Sequence, residues 1–363
     1  MPLVREVTVE GFKSIRKLSL GLGRVNVLIG ANGSGKSNLL EAIAYGVAAA
    51  HGKLDNEYLV PRGVRVTEAR FMQSAFDIAP VASTVSFKGD HAQPTGEPLD
   101  QDRATEEREL EKIVDLVWAK LDTSQSSRSE FRETLRRIFS ERLRAPRDFL
   151  IFSPENSALR IFQAEPQVLP LGARGEGLFA HLKNLSESSP ESFERIISRL
   201  RLFDWFEDLE VPKDLAIGER SLRIRDRYLA EGALFDQRSA NEGFLFVLFY
   251  LTLFVSGETP TFFAIDNVDS ALNPKLATET VRALVRLAFT HNKQVIFTTH
   301  SPAVLDALDL SDDEQRLLLA ERAKDGSTRV RRIGPPTVMP GDEPVPVSEA
   351  FVRGYLGGLP KNF

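Results

Sequence analysis

The chain has 363 residues, room for one large or two modest domains. Its 42% hydrophobic and 27% charged residues describe a chain that buries a real core, and the absence of cysteine excludes disulfides and thiolate metal sites. The formal net charge of −5 means that any contact with nucleic acid must rest on a local basic patch.

The first residues, Met1-Pro2-Leu3-Val4-Arg5-Glu6, lack the basic and apolar regions of a signal peptide. The longest apolar run, Phe244 to Val255, is too short to cross a bilayer and reads as a core helix. A cytoplasmic protein with no membrane contact is expected. The five histidines, at 51, 91, 181, 291 and 300, show no metal-ligand spacing.

In chain order, residues 3–9, 16–20 and 24–29 read as strands, a helix runs from Ser37 to about Ala50, and residues 83–88 alternate as a further strand. Gly89 to Asp102 is a turn-rich linker. Two charged amphipathic helices are predicted over 103–121 and 129–145, joined by a polar turn at Thr123 to Ser127. A strand at 149–152 and helices at 176–185 and 190–206 follow, then a hairpin over 211–228 around Gly218-Glu219. A long Phe/Leu helix begins near Asn241. Beyond it come a strand (261–265), a helix (274–291), a strand (294–298), a helix (302–308) and strands at 315–320 and 328–333. Strands alternating with helices predict an α/β fold with a mixed, mostly parallel sheet, preceded by an antiparallel meander and interrupted by a helical insertion. The expected division is 1–95 and 209–335 for one α/β domain, 96–208 for the insertion and 336–363 for a tail.

The run Gly30-Ala31-Asn32-Gly33-Ser34-Gly35-Lys36-Ser37 matches the phosphate-loop pattern G-x-x-x-x-G-K-[ST], between a predicted strand and a helix that opens with Asn38. Glycines let backbone N–H groups curl inward onto phosphate oxygens, and the helix start adds partial positive charge. Lys36 is expected to reach the β/γ-phosphates of ATP, and Ser37 to offer its hydroxyl to Mg2+. Phe262-Phe263-Ala264-Ile265-Asp266 is an apolar strand ending in a carboxylate, a Walker B element whose Asp266 would hold Mg2+ opposite Ser37. His300 follows the strand Val295 to Thr299, at the carboxyl end where α/β sheets bind ligands.

With Ser270-Ala271-Leu272-Asn273-Pro274 and Thr298-Thr299-His300-Ser301-Pro302 at their spacings, the chain resembles the ABC-type ATPase heads of the SMC, RecF and OLD families over 1–88 and 209–333. The resemblance implies a P-loop ATPase that dimerises around ATP, one subunit's signature helix facing the other's phosphate loop. It implies a D-loop from Ser270 to Asn273 and a γ-phosphate sensor at His300. Glu10-Gly11-Phe12-Lys13-Ser14-Ile15 is similar to the family's opening, so Lys13 and Ser14 would lie near the nucleotide. The signature is Ser239-Ala240-Asn241-Glu242-Gly243, in either of two registers: Ser239 is the signature serine, or Asn241 replaces it with Gly243 as the glycine. A metal-sensing glutamine is expected between the lobes, at Gln73, with Gln163 and Gln167 as alternatives.

The chain departs from the family at Asn267, where a glutamate usually polarises the attacking water. Asparagine takes no proton near neutral pH, so slow hydrolysis is expected, with Asp269 able to act only through a water if the turn reorients it. Among the resembled groups, the stretches Ile265 to Pro274 and Arg70 to Phe76 look most like the standalone ATPases of Septu and retron anti-phage systems. That likeness implies a homodimer or larger homo-oligomer that regulates an effector protein, a nuclease. The alternative is a RecF-like ATPase acting on DNA in repair or recombination, through the arginines of 128–144 or Arg223, Arg225 and Arg227. About sixty residues follow His300, without an Asp/Glu/His cluster at nuclease spacing.

Overall fold

The computed structural model describes residues 3–66, 72–74, 76, 83–90, 145–162, 166–215, 219–335 and 345–356. The predicted helices at 103–121 and 129–145, including the arginine-rich one, lie outside these apart from residue 145.

Three sheets form. Strands β1 (Val4–Phe12), β2 (Ile15–Gly21) and β4 (Thr84–Gly89) make the antiparallel meander, in the order β2-β1-β4. The central sheet has the order β11-β10-β3-β9-β8-β5, built from β3 (Val25–Ile29), β5 (Leu150–Phe152), β8 (Phe262–Ile265), β9 (Gln294–Thr298), β10 (Gln315–Arg322) and β11 (Thr328–Ile333). All its pairings are parallel except β10 with the edge strand β11. The strand β6 (Phe206–Glu210) pairs antiparallel with β7 (Arg223–Asp226). The helices are α1 (Lys36–Ala50), α2 (Asn56–Leu59), α3 (Asn156–Ile161), α4 (Leu178–Ser188), α5 (Pro190–Leu200), α6 (Glu242–Val255), α7 (Pro274–Thr290) and α8 (Val347–Val352).

The alternation of the central strands sends their side chains into two cores. Val25, Val27, Val295 and Phe297 join α3 to α7 on one face, while Leu28, Ile296, Leu318 and Ala320 meet the meander and α1 on the other. The sheet is thus the middle layer, with β3 between β9 and β10. Helix α6 is apolar all round because it is buried all round, from Gly243 to Val255. The described part of the predicted insertion shares this core through Leu159, Leu182 and Ile196.

Three boundaries move. The helix predicted to reach 206 ends at Leu200, because Phe206 turns into a strand and is fully buried against Trp205 and Phe244. The arms of the hairpin predicted over 211–228 are accordingly 206–210 and 223–226, with residues 216–218 outside the described set. The stretch after Ser301 is a 3-10 helix, Pro302–Ala307, opened by its proline.

The C-terminal end of α6 is tied by two buried titratable side chains. Lys293 donates from Nζ to the carbonyls of Ser256 and Thr259, each at 2.9 Å, and burial lowers its pKa to about 8. His181 Nε2 lies 2.8 Å from Ser256 Oγ. Burial holds the His181 imidazole below the usual histidine range, against the opposing pull of Glu258. Its folded pKa is lower than its unfolded one, so the unfolded chain takes the proton first as pH falls. The part of the stability that depends on neutral His181 should therefore be complete above pH ~6.5 and decline below it. Melting curves between pH ~7 and ~5 check this; His181→Gln should flatten the decline, and an unaltered slope would contradict the assignment.

Candidate nucleotide site

Strand β3 delivers the chain to Gly30 in the middle of the sheet, and the loop returns it as α1. A Cβ on Gly30 would meet the Ala320 carbonyl oxygen at 2.2 Å, so only glycine passes between β3 and β10. Gly35 caps α1 with φ 103°, left-handed backbone, and no side chain among the described residues caps that helix start. The first-turn N–H groups of a 15-residue helix are thereby left for an anion. Ser34 Oγ is buried and has no hydrogen-bond partner among the described residues. Lys36 donates from Nζ to Gly30 O at 2.8 Å and Ala31 O at 3.3 Å. Burial lowers its pKa, with Asp266 opposing.

Asn32, Gly33, Ser34, Gly35, Lys36, Ser37 and Asn38 line one cavity of about 280 Å3, together with Asp266, Asn267, His300, Arg65 and Arg322. Asp266 is placed by β8: its N–H donates to Phe152 O at 2.8 Å, and its Oδ1 accepts from Thr298 Oγ1. Asn267 takes φ 54°, a region that asparagine tolerates better than most residues, and its N–H donates to Thr298 Oγ1 at 2.8 Å. The next threonine, Thr299, donates to Asp269 Oδ1 at 2.6 Å. Asp269 is held there and is absent from the cavity lining. The pKa of His300 is lowered, first by burial and then by Lys36, with Asp269 and Asp266 opposing.

Lys13 and Ser14 are not among the lining residues. Lys13 pairs with the buried Glu41, and Ser14 accepts from Asn38 Nδ2 at 2.6 Å. Gln73 is exposed, pairs with Phe12 of β1 in an isolated β-bridge and does not line the phosphate-loop cavity. Gln167 does line a neighbouring cavity of about 820 Å3 that shares Ser37, Arg65 and Asp266 with the first. Gln163 lies outside the described residues.

The remaining candidates gather elsewhere. Asn241 caps α6, accepting from Phe244 N–H at 2.8 Å, and Asn273 caps α7, accepting from Leu276 N–H at 2.9 Å. Both line a third cavity of about 580 Å3 with Glu242, Gly243 and Ala271. A Cβ on Gly243 would meet Ala271 O at 2.9 Å, which ties the start of α6 to the turn before α7. Ser239 and Ser270 are exposed in the turns before the two helices. This cavity shares no described lining residue with the phosphate-loop cavity.

The sequence matches the family model "AAA domain, putative AbiEii toxin, Type IV TA system" over residues 25–306, more than half of the chain. The chain belongs to this AAA-domain family. Solved structures similar to it include an SMC head bound to the C-terminal winged-helix domain of ScpA, at 16% identity and TM-score 0.53, covering 92% of this chain and 98% of that one. Two others are the SMC head domain from Thermotoga maritima (17%, TM-score 0.46, 91% and 98% covered) and the Pyrococcus furiosus Smc head with the C-terminal domain of ScpA (14%, 0.47, 92% and 97%). The comparison with curated proteins finds no match. The first of these structures establishes an SMC-head-like P-loop ATPase fold, and the family makes the chain an ATPase of that broad type.

The AAA-domain chain fits a nucleotide with its cation. The helix start without a side-chain cap suits an anion, and Ser37 and Asp266 both border the two adjoining cavities. Among the described residues no group of three His, Cys, Asp or Glu could hold a metal alone. Magnesium would therefore be held by Ser37 and Asp266 together with the phosphates. No helix among the described residues is long and apolar enough to cross a membrane.

Sequence reasoning missed Arg65 and Arg322, which carry cations to the phosphate-loop cavity from outside any motif. It also passed over the hydroxyls of Thr298 and Thr299, although a threonine pair at the end of a buried strand was a visible signal. Two of the arginines considered for nucleic acid are already engaged: Arg223 pairs with Asp214 and Glu210, and Arg227 donates to Phe206 O.

Proposed function

We propose that this AAA-domain ATPase binds ATP and Mg2+ at the Gly30–Asn38 loop and closes as a homodimer, or larger homo-oligomer, around the nucleotide. The closed state would regulate a partner effector, a nuclease, in bacterial anti-phage defence. The observation that carries the closure is the separation of the two cavities. The phosphate loop, Asp266 and His300 border one, whereas the mouth of α6 with Asn241, Glu242 and Gly243 borders another with no shared lining residue. A second copy is what can bring such a mouth over a phosphate cradle.

In this reading Lys36 and the loop N–H groups bind the phosphates, Ser37 and Asp266 hold the cation, and neutral His300 reports on the γ-phosphate. The cation would neutralise charge between the β- and γ-oxygens. Asn267 lines the cavity without a basic group, so hydrolysis is slow and ATP binding drives the switch. The defence role is supported by the likeness of the Ile265–Pro274 stretch to the ATPases of such systems.

Light scattering after gel filtration tests the closure. The chain should be smaller without nucleotide and a dimer or larger with a non-hydrolysable ATP analogue. A monomer with nucleotide demonstrably bound refutes it. Pull-down with and without ATP, followed by assay of the captured effector for nuclease activity, tests the regulatory role.

A further inference from the structure

The hairpin between β10 and β11 belongs to none of the motifs, yet it grips the phosphate loop at two consecutive carbonyls. Arg322 and Thr328 are directly opposed in the β10–β11 register. Arg322 Nε donates to Gly33 O at 2.7 Å, and Thr328 Oγ1 donates to Ser34 O at 3.1 Å. Thr328 is 1% exposed, and its side chain leaves no room for a Cβ on Gly35, which would meet Thr328 Oγ1 at 2.1 Å.

The hydroxyl is the third member of a relay with a single direction. Asn38 Nδ2 donates to Ser14 Oγ at 2.6 Å, and Ser14 Oγ lies 2.7 Å from Thr328 Oγ1. An amide NH2 only donates and a carbonyl only accepts, so the protons run from Asn38 through Ser14 and Thr328 to Ser34 O. Each hydroxyl gives one bond and takes one, and such chains polarise cooperatively. Thr328 N–H also donates to Ser14 O at 2.7 Å, locking the hairpin to the β1–β2 turn.

The geometry matters because a trans peptide points its C=O and N–H in opposite directions. Holding Ser34 C=O against Thr328 turns the Gly35 N–H away from the hairpin, toward the phosphate side of the loop. We propose that Thr328, assisted by Arg322, is a positioning residue that pre-orients the phosphate loop for the nucleotide. The inference rests on the reading that this loop binds ATP. Ser14, buried and one hydrogen bond from the lining residue Asn38, then acts on the loop through Thr328.

The test is calorimetric titration of ATP, ADP and adenosine into the nucleotide-free protein, with melting curves alongside. Thr328→Val keeps the volume and deletes the hydroxyl. It should weaken ATP and ADP roughly tenfold, leave adenosine unchanged, and be largely rescued by Thr328→Ser. A Thr328→Val protein that melts lower but binds ATP as tightly as wild type overturns the proposal, leaving Thr328 purely structural. Wild type that does not bind ATP overturns both this inference and the ATP reading beneath it. Should Thr328→Val not fold, Ser14→Ala cuts the same relay one bond earlier and is expected to weaken ATP about threefold. Unchanged affinity in that variant also overturns the proposal.

Discussion

Lys36→Ala should weaken ATP binding by at least ~100-fold, the largest effect expected of any single substitution here. Two or more charge-assisted hydrogen bonds to phosphate oxygens, at about 1.5–3 kcal/mol each, are lost at once. The fold should hardly notice. Among the described residues the ammonium donates to the carbonyls of Gly30 and Ala31, and its burial disfavours the charge more than Asp266 favours it. A melting temperature within a few degrees of wild type, beside a fluorescent-nucleotide titration that fails to saturate, is the expected pair of results. Near-wild-type affinity would mean that the loop does not hold phosphate in the way its geometry implies.

The second large effect runs the other way. Asn267→Glu should raise steady-state ATP turnover at least ~10-fold over a slow wild type, since a positioned general base contributes about 10²–10⁴. Residue 267 already lines the cavity beside Asp266 and His300, so a carboxylate there needs no new route to an attacking water. The substitution carries a conformational cost of about 1 kcal/mol, because φ 54° suits asparagine better than glutamate. A modest loss of thermal stability should therefore accompany the gain in turnover. Equal or lower turnover with ATP binding intact would show that the water is polarised elsewhere. Fast turnover in the wild type, unaffected by Asp269→Ala, would refute slow hydrolysis itself.

The elements nearest the phosphate loop were the most legible in the sequence, for a physical reason. Buried parallel strands such as Val25–Ile29, interrupted only by Asn26, and Gln294–Thr298, apolar from Val295 to Phe297, read as largely apolar runs, and the glycine spacing of the loop has few other uses. Asn241 and Asn273 were legible as helix starts because capping is local. What the sequence hid depends on contacts between distant segments. The β6 strand is set by Phe206 packing under Phe244 and by pairing with β7, not by its own pattern. Arg322 reaches Gly33 across 289 positions of chain, and no local rule announces that contact. Of the glutamines expected between the lobes, the fold puts Gln167 on the wall of a cavity that Ser37 and Asp266 also line, a relation between distant segments that no local pattern carries.

The tie at Ser256 has a mechanical meaning. Helix α6 has 14 residues and spans about 21 Å, with Asn241 at one end and Ser256 just past the other. Its far end is fastened by Lys293, the residue that immediately precedes β9, and the opposite end of β9 leads into Thr298, Thr299 and His300. Helix and strand therefore form a bent lever with one shared pivot. Lys293 Nζ donates to three carbonyls of the connecting turn, at Ser256, Thr259 and Pro260, so the far end of α6 and the start of β9 share one anchor. The same strand ends at Thr298, whose hydroxyl donates to Asp266 at the nucleotide cavity.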